Sequence, residues 1–182
     1  MTSKVIDMDD VATQPEPIIS QSIPNDNYKV VTKITDNIYL GPKLSMIDEK
    51  EFGQLNIDII INCAREVVSS VPNRVAHLDR VYPPDNIYKV VKFPIVDGDP
   101  ISFIENMDRA EEKIHTYVSR NKKIYIHCEC GISRAPAILM YYLMVHSNYD
   151  YYDASDFITN ARPAVNIDSE FEQILLAIND DQ

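Results

Sequence analysis

The stretch that most constrains what this chain can fold into is Ile124-Tyr-Ile-His127-Cys128-Glu129-Cys130-Gly131-Ile132-Ser133-Arg134. Three apolar residues lead into it, and the run from Ala135 to Val145 that follows is almost entirely apolar. That order reads as a buried strand, a tight loop, and a helix buried on most of its faces. The loop is therefore held at both ends.

A cysteine at the end of a strand, with the next backbone N–H groups converging at a helix N-terminus, sits where negative charge is favoured. The same field favours the thiolate of Cys128, the nucleophilic form of the side chain. Arg134, six positions on, returns a planar, permanently charged fork to the same point and can hold two oxygens of a tetrahedral dianion. Gly131 lets the loop turn and keeps a side chain out of the crowded anion site.

The spacing Cys-x5-Arg preceded by His resembles the cysteine-dependent protein phosphatases, and within them the small dual-specificity group. Asp36-Asn-Ile-Tyr-Leu-Gly41 is similar to the opening strand of that group, and Phe93-Pro-Ile-Val-Asp97 to the segment that carries its general acid. The resemblance covers roughly residues 28–180. It implies a phosphoprotein phosphatase that acts on phosphotyrosine and on phosphoserine or phosphothreonine through a phosphocysteine intermediate. The phosphate-binding loop would be Cys128, Glu129, Cys130, Gly131, Ile132, Ser133 and Arg134.

Between its breaks the chain reads as an α/β domain. Val30, Val31, Ile34, Ile38, Tyr39 and Leu40 form a strand pair broken at Thr35-Asp36-Asn37. Leu44, Ile47, Phe52 and Leu55 mark a short amphipathic helix, and Ile57 to Cys63 a strand buried on both faces. Ile87 to Ile95 is the next strand, and Ile101, Ile104, Met107, Glu111, Ile114 and Val118 recur at helical spacing. Two more helices follow the reactive segment: one over Ala154, Phe157, Ile158 and Ala161, ended by Arg162-Pro163, and one over Phe171, Ile174, Leu175 and Ile178, capped by Asp168 or Ser169. Alternating strands and helices predict a central, mostly parallel sheet flanked by helices on both faces. Its ligand site lies at the carboxyl ends of the strands.

With 182 residues, 45% of them hydrophobic, the chain can bury one sizeable core. Residues 1–27, with scattered acids and Pro15, Pro17 and Pro24, read as a disordered acidic tail, in which Ile18-Ile19 is either solvated or a docking point. Residues 28–182 form the catalytic domain that the resemblance implies. The connection from Ala64 to Asn86 has no period, and its neighbourhood of Arg65, Arg74 and Arg80 faces either solvent or a phosphorylated partner. A net charge of −11 argues against nucleic acid and anionic membranes as partners and for a phosphorylated protein. Three cysteines do not make a disulfide framework. No signal peptide or membrane span is evident, so an intracellular place, cytoplasmic or nuclear, is expected. Oligomeric state has no signature in the sequence.

The leaving oxygen of a phosphate ester needs a proton from the side opposite the nucleophile. Asp97 and Asp99 both stand in the right loop. Asp99 precedes Pro100, as a helix N-cap would, although Ser102 with Glu105 offers a competing capping box. Asp97 has no such structural employment and is the preferred acid, as the resemblance also implies. His127 supports the loop as a buried, hydrogen-bonded group rather than shuttling protons. Cys63 and Cys130 are candidate redox partners of Cys128, with ordinary buried small side chains as the alternative. Arg162 resembles a position that holds a second phosphate, or else it complements a helix dipole. Ser133 bonds within the loop or is simply small enough for it.

Clustered Cys and His raise the question of zinc, but His127, Cys128 and Cys130 lack a fourth ligand at the usual spacing, so no metal or cofactor is expected. Relatives in the family usually carry Ser or Thr after the arginine, where this chain has Ala135. That departure predicts slow hydrolysis of the intermediate and keeps open a phosphoprotein-binding module with weak turnover. Relatives acting on lipid or RNA line the loop with basic residues, whereas Glu129, Cys130 and Ile132 stand here.

Overall fold

The structure is a computed structural model that describes residues 30–47, 49–66 and 88–180. The expected tail and most of the long connection after Ala64 lie outside the described residues. Five strands form one sheet in the order β1-β2-β5-β3-β4: Thr32–Lys33, Ile38–Pro42, Ile124–Cys128, Ile59–Ala64 and Lys89–Ile95. β1 runs antiparallel to β2, and every other pairing is parallel. The hairpin turns where the sequence breaks, at Thr35-Asp36-Asn37, with the Thr35 hydroxyl accepting from the backbone N–H groups of Asn37 and Ile38.

Side chains alternate across a strand, and the alternation here sorts residues into two cores. Ile38, Leu40, Ile59, Ile61, Cys63, Ile124 and Ile126 enter the larger one, while Tyr39, Ile60 and Tyr125 enter the smaller. The larger core is completed by α2 (Pro100–Val118), α3 (Arg134–His146), α4 (Tyr151–Ala161) and α5 (Ser169–Asp180). On the other side a 3-10 turn (Lys43–Ile47) and α1 (Glu49–Gln54) contribute Met46 and Phe52, the latter edge-on to Tyr125 with ring centroids 5.0 Å apart. Helical cover is thus present on both faces but unequal. Ten of the 13 residues of α3 are buried, so the apolar run after Arg134 is a central helix, as its lack of a polar face predicts.

The expected strand from Ile57 is shorter at its start. Asn56 has φ 52°, and Asp58 exchanges bonds with Lys123, its N–H donating to the Lys123 carbonyl at 2.8 Å. Regular pairing therefore begins at Ile59. The competing capping box of α2 does not form. Asp99 is the N-cap, accepting from the N–H groups of Ile101 and Ser102 at 3.2 and 3.3 Å, with Pro100 opening the helix. Asp168, rather than Ser169, caps α5, accepting the N–H of Glu170 at 3.0 Å.

Candidate active site

β5 ends at Cys128, beside Pro42 of β2, and the loop that follows crosses the end of β2 before entering α3. Two features force that path. Gly131 has φ +65°, and a Cβ there would stand 2.4 Å from the carbonyl carbon of Gly41. Only a glycine both adopts this conformation without strain and permits so close an approach. Its N–H, in turn, is aimed at the Cys128 sulfur at 3.3 Å.

A second set of bonds fixes the loop from behind. The guanidinium of Arg162, 1% exposed, donates to the carbonyls of Gly131 at 2.9 Å and Cys130 at 3.3 Å, and to the Val30 carbonyl and the Thr32 hydroxyl at 2.8 and 3.1 Å. The expectation that Arg162 holds a second phosphate is therefore corrected. Its donors are turned into the protein and spent on backbone carbonyls and one hydroxyl, which is how a buried cation is kept hydrogen-bonded. Burial nonetheless pushes its pKa down.

His127 is fully buried and stacks on Tyr125, with ring centroids 5.7 Å apart. Its Nδ1 lies 3.1 Å from the Cys128 carbonyl, which can only accept, so Nδ1 carries the proton. Burial pushes the imidazole down to about 4, against the bond to Cys128 and helped by Lys43 and Lys92. It is neutral at ordinary pH and lies behind the loop.

In front of the loop opens a cleft of about 600 Å³, lined by Cys128, Arg134, Asp97, Ile132, Ser133 and Glu66 among others. Arg134, 4% exposed, is held by Glu66 at 2.5 Å and by the Ile95 carbonyl at 3.4 Å, both through the same terminal nitrogen. Its Nε lies 3.2 Å from Asp97 Oδ1 but is not aligned for a hydrogen bond and has no other partner among the described residues. Arg134 thus lines the cleft with one buried donor that has no hydrogen-bond partner among the described residues. Burial pushes the Glu66 carboxyl up, but its bond to Arg134, with further help from the backbone and Lys43, leaves it below the usual carboxylate range.

Asp97 is two-thirds exposed and faces the cleft, whereas Asp99 is committed to its helix cap. Gly98 between them, φ +68°, permits this division of the two acids. The Ser133 hydroxyl accepts the N–H of Asp168 at 3.1 Å, joining the reactive loop to the segment before α5. Cys63 is fully buried one strand away. Burial, reinforced by negative charge on Cys128, drives its thiol far above the ordinary range. Cys130 is exposed, and its thiol is also raised, by partial burial and by Cys128. Neither sulfur is predisposed to be the attacking thiolate. Among the described residues there is no group of three His, Cys, Asp or Glu side chains able to hold a metal.

Sequence reasoning did not single out Glu66. Its position two residues beyond β3, at the strand end that adjoins the reactive loop, is the signal that would have found it. Lys43 was missed as well. It pairs with Glu129 at 2.5 Å and anchors the first residue after Cys128.

A cysteine nest and an arginine fork at the carboxyl end of a parallel sheet, faced by a carboxylate from the next loop, define a cysteine-dependent phosphatase type of centre. Residues 38–181 match the family described as dual specificity phosphatase, catalytic domain, and the chain belongs to that family. Tyrosine-protein phosphatase MSG5 of Saccharomyces cerevisiae is 31% identical over 117 residues, which is 64% of this chain and 21% of that protein. Tyrosine-protein phosphatase vhp-1 of Caenorhabditis elegans is 29% identical over 146 residues, 80% of this chain and 20% of that protein. The chain therefore spans about a fifth of the length of these two relatives. It covers 80% of the mouse dual specificity protein phosphatase 18, at 22% identity.

Among solved structures, a human tyrosine phosphatase-like serine/threonine/tyrosine-interacting protein superposes with a TM-score of 0.69 at 20% identity, covering 84% of this chain and 97% of that one. Human DUSP28 superposes with a TM-score of 0.67 at 15% identity, covering 89% and 98%. These two likenesses establish the fold. No helix among the described residues is long and apolar enough to cross a membrane.

Proposed function

We propose that this chain is a phosphoprotein phosphatase that hydrolyses phosphotyrosine and phosphoserine or phosphothreonine through a phosphocysteine. The observation that supports the reading is the convergence of Cys128, the Arg134 guanidinium and the carboxylate of Asp97 on one cleft. In the first step the Cys128 thiolate forms a bond to phosphorus while the ester P–O bond breaks. Protonated Asp97 gives its proton to the departing oxygen. Arg134 and the loop N–H groups hold the equatorial oxygens as charge redistributes. In the second step Asp97, now ionised, takes a proton from water as that water attacks phosphorus, and Cys128 leaves as thiolate with release of inorganic phosphate.

Departure of the thiolate is where this chain differs from its family. Ala135 is fully buried next to Arg134 and offers no hydroxyl to the developing charge on sulfur. Loss of one such donor costs on the order of 2–3 kcal/mol, or roughly 10²-fold in the second step. Phosphocysteine therefore accumulates, and turnover of p-nitrophenyl phosphate begins with a burst. A fast, burst-free reaction would count against this. Ala135 also favours a second reading, a module that captures phosphoproteins with little turnover. Release of phosphate by the wild type, abolished in Cys128→Ser while phosphopeptide binding is kept, supports the enzyme; equal inactivity of both proteins overturns it.

A further inference from the structure

Five of the described residues lining the cleft are charged: the acids Glu66, Asp97, Glu129 and Asp168, and the single base Arg134. Glu66 and Asp97 flank the guanidinium. The other two acids stand apart from it, Glu129 paired with Lys43 and Asp168 at the start of α5. Glu129 holds Lys43 with Oε1, while its Oε2 is shielded from solvent and has no hydrogen-bond partner among the described residues. Asp168 accepts the Glu170 N–H with Oδ1, and its Oδ2 lies 3.3 Å from where a Cβ on Gly98 would stand. That places the Asp168 carboxylate against the loop of the general acid.

Both acids are fixed rather than trailing in solvent. The N–H of Asn166 donates to the Ile132 carbonyl at 3.0 Å, and the N–H of Asp168 to the Ser133 hydroxyl at 3.1 Å, so the segment before α5 is tied to the reactive loop at two points. Glu129 is tied by Lys43 through both side chain and backbone, the Lys43 N–H donating to the Glu129 carbonyl at 3.2 Å. In the phosphatase reading the phosphoryl group is held at the Arg134 guanidinium, which lines the cleft beside Cys128. Once a dianion occupies that point, the only base of the described lining is neutralised. Whatever flanks the phosphate then meets the fixed carboxylate of Asp168, in a chain of net charge −11.

Resting on the phosphoprotein reading, we propose that the cleft selects a phosphorylated residue with a lysine or arginine beside it, and that Asp168 reads the basic side chain. An acidic neighbour is disfavoured by the same charges, and a neutral one is intermediate. Arginine, with a fork that matches a carboxylate, is preferred over lysine.

The test uses the full chain and three phosphotyrosine peptides that differ only in the two residues flanking the phosphotyrosine: arginine, glutamine or glutamate. Turnover of p-nitrophenyl phosphate normalises each protein. The arginine peptide should exceed the glutamine peptide in kcat/KM by about tenfold at low ionic strength, shrinking to about threefold at 0.3 M salt. Asp168→Asn, which keeps an oxygen for the helix cap, should cut the low-salt preference to about threefold. Equal kcat/KM for the three peptides overturns this inference and leaves the phosphatase reading standing, as does a preference that neither salt nor Asp168→Asn reduces. Hydrolysis of p-nitrophenyl phosphate without hydrolysis of any peptide overturns both. The salt dependence of the wild type needs no variant and decides the matter if one fails to fold.

Discussion

Two buried arginines flank the reactive loop, and they do opposite things with the same side chain. Arg134 sits in front, 4% exposed, lining the cleft, with one donor that has no hydrogen-bond partner among the described residues. Arg162 sits behind, 1% exposed, with its donors turned onto the carbonyls of Gly131, Cys130 and Val30 and the hydroxyl of Thr32. Acids beside Arg134 keep it charged and oriented, and they surround it without saturating it. The lesson is that burial alone does not tell a ligand-binding arginine from a structural one. What tells them apart is whether every donor has an acceptor within the protein.

The comparison can be broken most severely at the front. Arg134→Lys should lower kcat/KM on p-nitrophenyl phosphate by about 10³-fold, because a point charge cannot replace a planar fork at the transferring phosphoryl group. Its thermal unfolding midpoint should move little by comparison, and a large fall would blur the distinction. At the back the balance reverses. Arg162→Met should cost about 3–4 kcal/mol of stability in denaturant titration, since it leaves several buried backbone acceptors without donors. The fraction that folds should still bind vanadate or phosphate. Unchanged stability would remove Arg162 from its structural role.

His127 sharpens the contrast from beneath the loop. Its pKa is about 4 in the folded chain against an ordinary 6.5, so below 6.5 the unfolded chain takes up a proton that the folded one refuses. Stability attributable to neutral His127 is fully present above pH 6.5 and is lost as pH falls toward 4, by about 3 kcal/mol in all. His127→Gln should flatten that part of the stability–pH curve, and an equally steep curve in the variant would assign the effect elsewhere. The smallest expected effect lies on the acid's side of the cleft. Asp99→Ala removes the cap of α2 and should cost about 1 kcal/mol, with a modest loss of kcat through a looser Asp97. In Asp97→Asn the proportions should invert, with kcat falling steeply on a poor leaving group and stability nearly unchanged.

Much of the fold was legible in the sequence because its signals are local. The apolar lead-in to Cys128, the all-apolar helix after Arg134, the break at Thr35-Asp36-Asn37 and the pairing of Asp99 with Pro100 each lie within a few residues of what they specify. The capping role of Asp99 followed from the same kind of signal. Arg162 and Glu66 were beyond reach for the opposite reason. Arg162 bonds to Gly131, 31 residues away, and to Val30, 132 away; Glu66 meets Arg134 across 68 residues. No periodicity encodes such partners, and position beside Pro163 suggested a helix-end role that the fold did not use. Helical cover on both faces was predictable from alternation, but its inequality depended on how little chain lies between β2 and β3.

The bonds of Arg162 to Val30 and Thr32 tie the reactive loop to the outermost strand of the sheet. β1 pairs through only two residues, Thr32 and Lys33, on one side alone. Peeling it from β2 would take away two of the acceptors that seat Arg162, and with them part of what holds the Gly131 carbonyl in place. The rigidity of the catalytic centre is thus leased from the frailest edge of the domain, and hydrogen exchange at Gly131 should rise in step with fraying of β1.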